Sequence, residues 1–332
     1  MSRSNTASTP AALPRRAALA GLAALFAGRA RAQDAAWPSR PVRLVTLAAP
    51  GQSTDAVARS LAEALSRRCV QPVVVDNRPG GEGIISIEAF LAARDGHTLL
   101  FNPTGTWTGI HLLHERLSFE PERDMIPVSF VGQDFLALAA SPRLGVGSLA
   151  ELVEAARARP GAITYASAPS IPALAMVAFQ REAGIELTHV PYRNPFAALP
   201  DIAQGRVDLA ILPLAPMVGP ASGGQLRLLA VASPDRAPAA PEVPTAAEAG
   251  FPVLGFPGGF GLFATRDMPE ALRLRIAEDV LAATTDPDMV RRVSALGLIP
   301  RAGTPAEFEA LLTRERARWT EVTRRYGLRP GQ

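Results

Sequence analysis

From Val42 onward, short apolar runs of strand type alternate with segments whose apolar residues recur at helical spacing, and the alternation runs twice before returning. This is the pattern of an α/β chain whose sheets are largely parallel. The first round has strand candidates at 42–47, 73–75, 98–101, 126–131 and 135–140. Its first helix repeats Val57, Leu61 and Leu65 every four residues. The second round opens with Ser148-Leu149-Ala150-Glu151, a capping box before the apolar stripe Leu149, Leu152, Val153 and Ala156, with Gly161 as a stop. Strand candidates follow at 163–166, 187–190, 207–211 and 228–231, with a helix through Met176 and Phe179 and another before Gly205. A proline-rich connection over 234–257 leads to a strand at 261–264 and two final helices. The last helix is opened by Thr304-Pro305-Ala306-Glu307.

One α/β set, a second, and a return to the first predict two lobes joined by two crossings. Residues 33–136 and 256–332 form the first expected lobe, residues 137–255 the second, with hinge crossings near 132–142 and 254–264. A cleft between lobes is where a small-molecule site belongs.

The segment before the alternation reads as an address. Arg15-Arg16 precedes an apolar run from Ala17 to Gly28, and Ala30-Arg31-Ala32 offers a cleavage site. The run is 12 residues, short of the roughly 20 of a spanning helix. Paired arginines, modest hydrophobicity and Arg29 and Arg31 near the cut suit the twin-arginine route, while Ala18 after the pair leaves a general secretory signal open. Residues 1–32 are therefore expected to be removed after Ala32, giving a soluble, exported, periplasmic chain.

Charge supports a small-molecule role. The whole chain is formally +3, but its first 32 residues carry five arginines and no acid, so the remainder holds 29 basic against 31 acidic side chains. Such a surface has no electrostatic footprint for nucleic acid. The chain has no lysine, which removes Schiff-base and P-loop chemistry, and its one cysteine, Cys69, allows no intrachain disulfide or thiolate zinc cluster. Cys69 reads as a packing residue.

Two loops carry candidate binding chemistry. Pro50-Gly51-Gln52-Ser53-Thr54-Asp55 joins the first strand to its helix, where ligands gather in open α/β sheets. First-turn N–H groups and the helix dipole favour an anion there, with Ser53 and Thr54 adding hydroxyls. The same residues would also serve as ordinary helix caps. Ala166-Ser167-Ala168-Pro169-Ser170 holds the corresponding place in the second lobe. Two such loops could clamp a carboxylate with no catalytic group.

Competing motifs fail on context. Gly81-Glu82-Gly83-Ile84-Ile85-Ser86 and Gly259-Phe260-Gly261-Leu262-Phe263-Ala264 resemble dinucleotide fingerprints, but the first follows the second strand and the second runs into a strand. His111 and His114 could share a helical face yet lack further metal ligands, so no metal site is expected. His189 is expected in the core. There is no G-x-S-x-G elbow and no H-E-x-x-H, so neither an enzyme nor a cofactor is predicted.

Several motifs, in order, resemble the Bug/TctC extracytoplasmic solute-binding proteins of tripartite tricarboxylate transporters. They are Pro50-Gly51-x-Ser53-Thr54-Asp55, Val75-Asp76-Asn77-Arg78-Pro79-Gly80, Asp95-Gly96-His97-Thr98-Leu99-Leu100, Tyr165-Ala166-Ser167, His189-Val190-Pro191-Tyr192-Arg193, Leu229-Ala230-Val231, and the run Pro241 to Gly250. The resemblance covers essentially the whole chain after the export segment. It implies a two-lobed periplasmic-binding-protein fold of type II, a Venus flytrap, closing by hinge motion on a small organic acid. It also implies a membrane permease of one small and one large subunit as partner, and the receptor is expected to be a monomer. Carried onto this sequence, the ligand-binding set is Gly51, Gln52, Ser53, Thr54, Asp55, Thr104, Ser167, Ala168, Ser170, Tyr192, Arg193 and Asn194.

The chain departs from that family where the ligand would sit. Gln52 stands in place of a second glycine, Pro169 and Ile171 in place of two more, and Asn194 in place of another. Leu212-Pro213-Leu214 is apolar where a polar residue is usual. Proline has no N–H to donate, and Gln52 and Ile171 add bulk. A narrower or more apolar pocket follows, suited to a monocarboxylate or an aromatic acid. The alternative is an orphan receptor of the same fold reporting to a sensor kinase; a hydrolase is a distant third.

Overall fold

The computed structural model describes residues 37–69, 71–168, 170–192 and 194–328. The export segment, Pro169 and Arg193 lie outside them. From Arg40 onward the chain forms one compact unit that contains two sheets. The first is built on β1 (Val42–Thr46), followed by α1 (Ser53–Cys69), β2 (Val73–Asn77), α2 (Ile84–Ala93), β3 (Thr98–Pro103), the short α3 (Gly105–Thr108) and β4 (Met125–Gln133). The chain then steps through Asp134 and Phe135 into β5 (Leu136–Ala140), which belongs to the second sheet.

There it builds α4 (Leu149–Ala158), β6 (Thr164–Ser167), α5 (Ile171–Ala183), β7 (Thr188–His189), α6 (Ala198–Ala203), β8 (Leu209–Pro213), α7 (Ala215–Ser222) and β9 (Arg227–Val231). It returns through β10 (Phe260–Thr265) and ends with α8 (Glu270–Thr284), α9 (Pro287–Ala295), β11 (Ile299–Pro300) and α10 (Pro305–Tyr326). The strand orders are β11-β4-β10-β3-β1-β2 and β7-β6-β8-β5-β9.

The sheets are mixed rather than largely parallel. Helix crossovers make β1 parallel to β2 and β3, and β6 parallel to β7 and β8. Every antiparallel pair involves β4, β5 or β10. These strands carry the chain between sheets, and a strand arriving without its own crossover helix is free to run against its neighbours.

Both faces of the second sheet are covered, as its alternating side chains require. Leu136, Leu138, Tyr165, Leu209 and Ile211 face one core, whereas Ala137, Ala139, Ala166, Ala210 and Leu212 face another. The first sheet buries Val45, Phe90, Leu100, Trp107 and Phe263 together with Phe308 and Leu312 of α10. Farther along the same helix, fully buried Trp319 belongs to the second sheet's core, edge-on to Phe256 at 6.1 Å. Tyr326 then donates its hydroxyl to Glu182 at 2.6 Å. The terminal helix thus packs on both sheets, in addition to the two strand crossings.

Helix signals in the sequence act as physics dictates. Thr304 and Glu307 form a complete capping box. Ser148 caps α4 by accepting from the Glu151 N–H at 3.2 Å, but the Glu151 carboxylate reaches back to the Gly147 N–H at 2.7 Å, not to that of Ser148.

Candidate ligand-binding site

The loop after β1 is held by its own polar groups. Gly51 adopts φ +86°, which lets the chain turn into α1, and its N–H donates to Asp55 Oδ2 at 2.9 Å. Arg59 Nε donates to the same oxygen at 3.0 Å, and Asn77 Nδ2 donates to Asp55 Oδ1 at 2.8 Å and to the Ala48 carbonyl at 2.9 Å. Burial pushes the Asp55 carboxyl up, but these hydrogen bonds and the Arg59 charge outweigh it and keep the group below its ordinary range. A parallel brace joins β3 to the loop: Asn102 accepts from the Leu47 N–H at 2.9 Å and donates to Ser86 Oγ at 2.9 Å.

Gln52 folds back on its own turn. Its Oε1 accepts from the Ala49 N–H at 3.1 Å, closing the turn on itself. Ser53 and Thr54 follow as the first residues of α1, where N–H groups have no intrahelical acceptor.

A cavity of about 850 Å³ runs between the loops of the two sheets. Nine of the twelve residues expected at the ligand line it: Gln52, Ser53, Thr54 and Thr104 from the first sheet's loops, and Ser167, Ala168, Ser170, Tyr192 and Asn194 from the second's. Gly51 and Asp55 do not line it. They form the scaffold of the turn, and both Asp55 oxygens are spent there. Arg193 falls outside the described residues. The volume sits within the usual range for ligand pockets.

Several lining groups already have partners. The Ser170 hydroxyl donates to the Gly105 carbonyl at 2.9 Å, and Ile171 packs against Gly105 and Gly109 of the first sheet's side. Tyr192 gives its hydroxyl to Asp201, and burial followed by that carboxylate raises the phenol to about 12. Asn194 Oδ1 accepts from the Phe196 N–H at 3.2 Å, capping a short turn. Thr104 pins the returning chain, its N–H donating to the Gly259 carbonyl at 2.9 Å.

His189 is a correction to the sequence reading. It is exposed at the cavity edge, not in the core, with Nε2 3.4 Å from Ser167 Oγ and its ring 5.0 Å from that of Tyr165. Its strand β7 is the sheet edge and only two residues long, so one side stays uncovered. His111 and His114 do not converge. His111 Nδ1 accepts from Arg316 at 3.1 Å, and His114 Nε2 lies 3.1 Å from Glu82. Among the described residues, no group of His, Cys, Asp and Glu side chains could hold a metal ion.

The cavity also has walls that sequence reasoning passed over. Asp134, Glu82, Glu315, Phe256, Gly258 and Trp319 all line it. Asp134 had one sequence signal, as the single charged residue in the stretch from 125 to 140. The contribution of α10 had none, because the pattern of that helix gives its apolar face but not which sheet lies beneath each turn.

Comparison with known proteins gives the family and the fold. Residues 57–328 match the model of the tripartite tricarboxylate transporter family receptor. A protein of Pseudomonas sp. (strain P51), described as a UPF0065 protein in the tcbD-tcbE intergenic region, is 36% identical over 96% of both chains. Among solved structures, a Rhodopseudomonas palustris protein, Rpa4515, with adipate is 30% identical with a TM-score of 0.80, covering 89% of this chain and 99% of that one. MatC of the same organism, with bound malate, is 27% identical with a TM-score of 0.76, covering 86% and 99%. The fold is that of the periplasmic binding proteins, and family and fold alike are those of solute-binding proteins. This chain belongs to the tripartite tricarboxylate transporter receptor (TctC) family.

Proposed function

We propose that the mature chain is a periplasmic receptor that captures a small organic acid between its two lobes and presents the closed form to a tripartite permease. The observation that carries this reading is that the start of α1, with Ser53 and Thr54, and the Ser167–Ser170 loop line one cavity of about 850 Å³. A helix start with unpaired N–H groups and flanking hydroxyls is suited to a carboxylate. The adipate and malate held by the two R. palustris relatives support the same class.

In this reading residues 33–136 with 256–332 move against residues 137–255 about the crossings near 132–142 and 254–264. Asp55 and Gly51 support the ligand loop without touching the ligand, and no covalent step takes place. Removal of residues 1–32 after Ala32 delivers the monomer to the periplasm. Gln52 satisfies one loop N–H from within, so fewer backbone donors remain for the ligand, which favours acids with a single carboxylate.

A thermal-shift and calorimetric screen of residues 33–332 against mono-, di-, tri-, amino and aromatic carboxylates tests the proposal. A ligand at a hundred times its Kd stabilises the fold by about 2.7 kcal/mol, and Ser53→Ala with Thr54→Ala abolishes the shift. If every acid is silent at millimolar concentration, the organic-acid reading fails.

A further inference from the structure

Asp134 occupies the two-residue step between β4 and β5 and lines the cavity while only 8% exposed. Its Oδ1 is fully enclosed and has no hydrogen-bond partner among the described residues. The returning chain presses on it so closely that a Cβ at Gly258 would stand 2.1 Å from Oδ1. The carboxyl is thus wedged between the two segments that connect the sheets, at the wall of the binding cavity. A buried acid without a partner is costly and calls for an explanation.

The rest of the lining sharpens the point. Glu82 faces His114 at 3.1 Å, and Glu315 is engaged by Arg318 at 3.5 Å. Partial desolvation lowers the proton affinity of His189. Among the described residues no arginine lines the cavity, and the chain has no lysine. A second carboxylate on a ligand would therefore meet an acid with no arginine among the described lining residues to offset it. An ammonium would meet an acid whose Oδ1 has no hydrogen-bond partner among the described residues.

We propose that Asp134 is a specificity determinant that reads the second polar group of the ligand, selecting acids with one carboxylate and one ammonium over dicarboxylates of equal length. The proposal rests on the organic-acid reading of the same cavity. Burial, only partly offset by a hydrogen bond from its own backbone, raises the Asp134 carboxyl to about 7. An ammonium beside it favours the charged form, whereas a second carboxylate opposes it.

The test is calorimetry at pH 7.5 on residues 33–332, with matched series of four, five and six carbons. These are 4-aminobutyrate, 5-aminopentanoate and 6-aminohexanoate against succinate, glutarate and adipate, with the plain monocarboxylates as reference. The amino acids are expected to bind at least tenfold tighter than the diacids of the same length. Asp134→Asn, nearly isosteric, is expected to shrink that ratio at least tenfold, and Asp134→Ala to do the same if the asparagine variant folds poorly. A wild-type preference for diacids, or a ratio unchanged in both variants, overturns the proposal and leaves the organic-acid reading standing. Silence of all three series and of the wider carboxylate screen removes both.

Discussion

The Ser170 hydroxyl donates to the carbonyl oxygen of Gly105, a hydrogen bond of 2.9 Å joining loops 65 residues apart that flank the cavity from opposite sheets. Ser170 holds this position at φ +67° and ψ −126°, a region that suits glycine and costs a side-chain residue roughly 1–3 kcal/mol. Two terms therefore oppose each other at one residue. Ser170→Ala loses the hydrogen bond and keeps the strain, and should lower stability by about 1 kcal/mol. Ser170→Gly loses the same bond but relieves the strain, and should be more stable than the alanine variant in urea denaturation. The reverse order would mean that the conformation at this position is unstrained.

His111 should remain neutral well into acid. Burial, reinforced by the Arg316 charge beside it, lowers its pKa to about 4. The unfolded chain takes up this proton near 6.5, so the contribution to stability is whole above that value and lost as pH falls toward 4. NMR of the imidazole should show a neutral ring at pH 5.5. His111→Gln should blunt the loss of melting temperature between pH 6.5 and 4.

The buried acid Asp134 has the opposite sign. Its folded pKa near 7 lies above the unfolded value of 3.8, so the native state holds the extra proton between them. Stability is whole below about pH 4, falls as pH rises toward 7, and is flat beyond. Asp134→Asn should therefore gain stability relative to wild type as pH goes from 4 to 8, by about a few kcal/mol at most. Differential scanning calorimetry of the ligand-free proteins at both ends of that range reads the gap directly.

Trp319 is fully enclosed among residues of the second sheet's core. Trp319→Ala should cost about 3–5 kcal/mol, and Trp319→Phe distinctly less, because the smaller ring still meets Phe256. A loss under 1 kcal/mol on alanine substitution in guanidinium unfolding would contradict the packing described.

The parts of this molecule that sequence made legible are those written in local chemistry. The Thr304 capping box, the strand stretches at 42–47 and 135–140, and the turn at Gly51 depend on neighbours a few residues away, and each is found within a residue or two of its expected place. What escaped depends on distant partners. A strand's composition does not encode its direction, so β10 between β3 and β4 could not be read as antiparallel. His189 looked like a core residue because nothing local reveals that β7 has one neighbour rather than two. Asp55 has the residue type of a ligand contact, and only the placement of Arg59 and Asn77 shows that it braces the turn. The burial of Asp134 arises from Gly258, more than a hundred residues onward.

The split packing of the terminal helix sets an order on the making of the protein. The strands of the second sheet are complete once residue 231 has been synthesised, yet the core beneath them lacks its indole until residue 319 emerges. Until then Phe256 lacks the ring it packs against, and a chain interrupted before that turn carries the whole sheet with its largest core side chain missing. Trp319 thus completes a core begun nearly two hundred residues earlier, a closure over long sequence separation of the kind that slows folding.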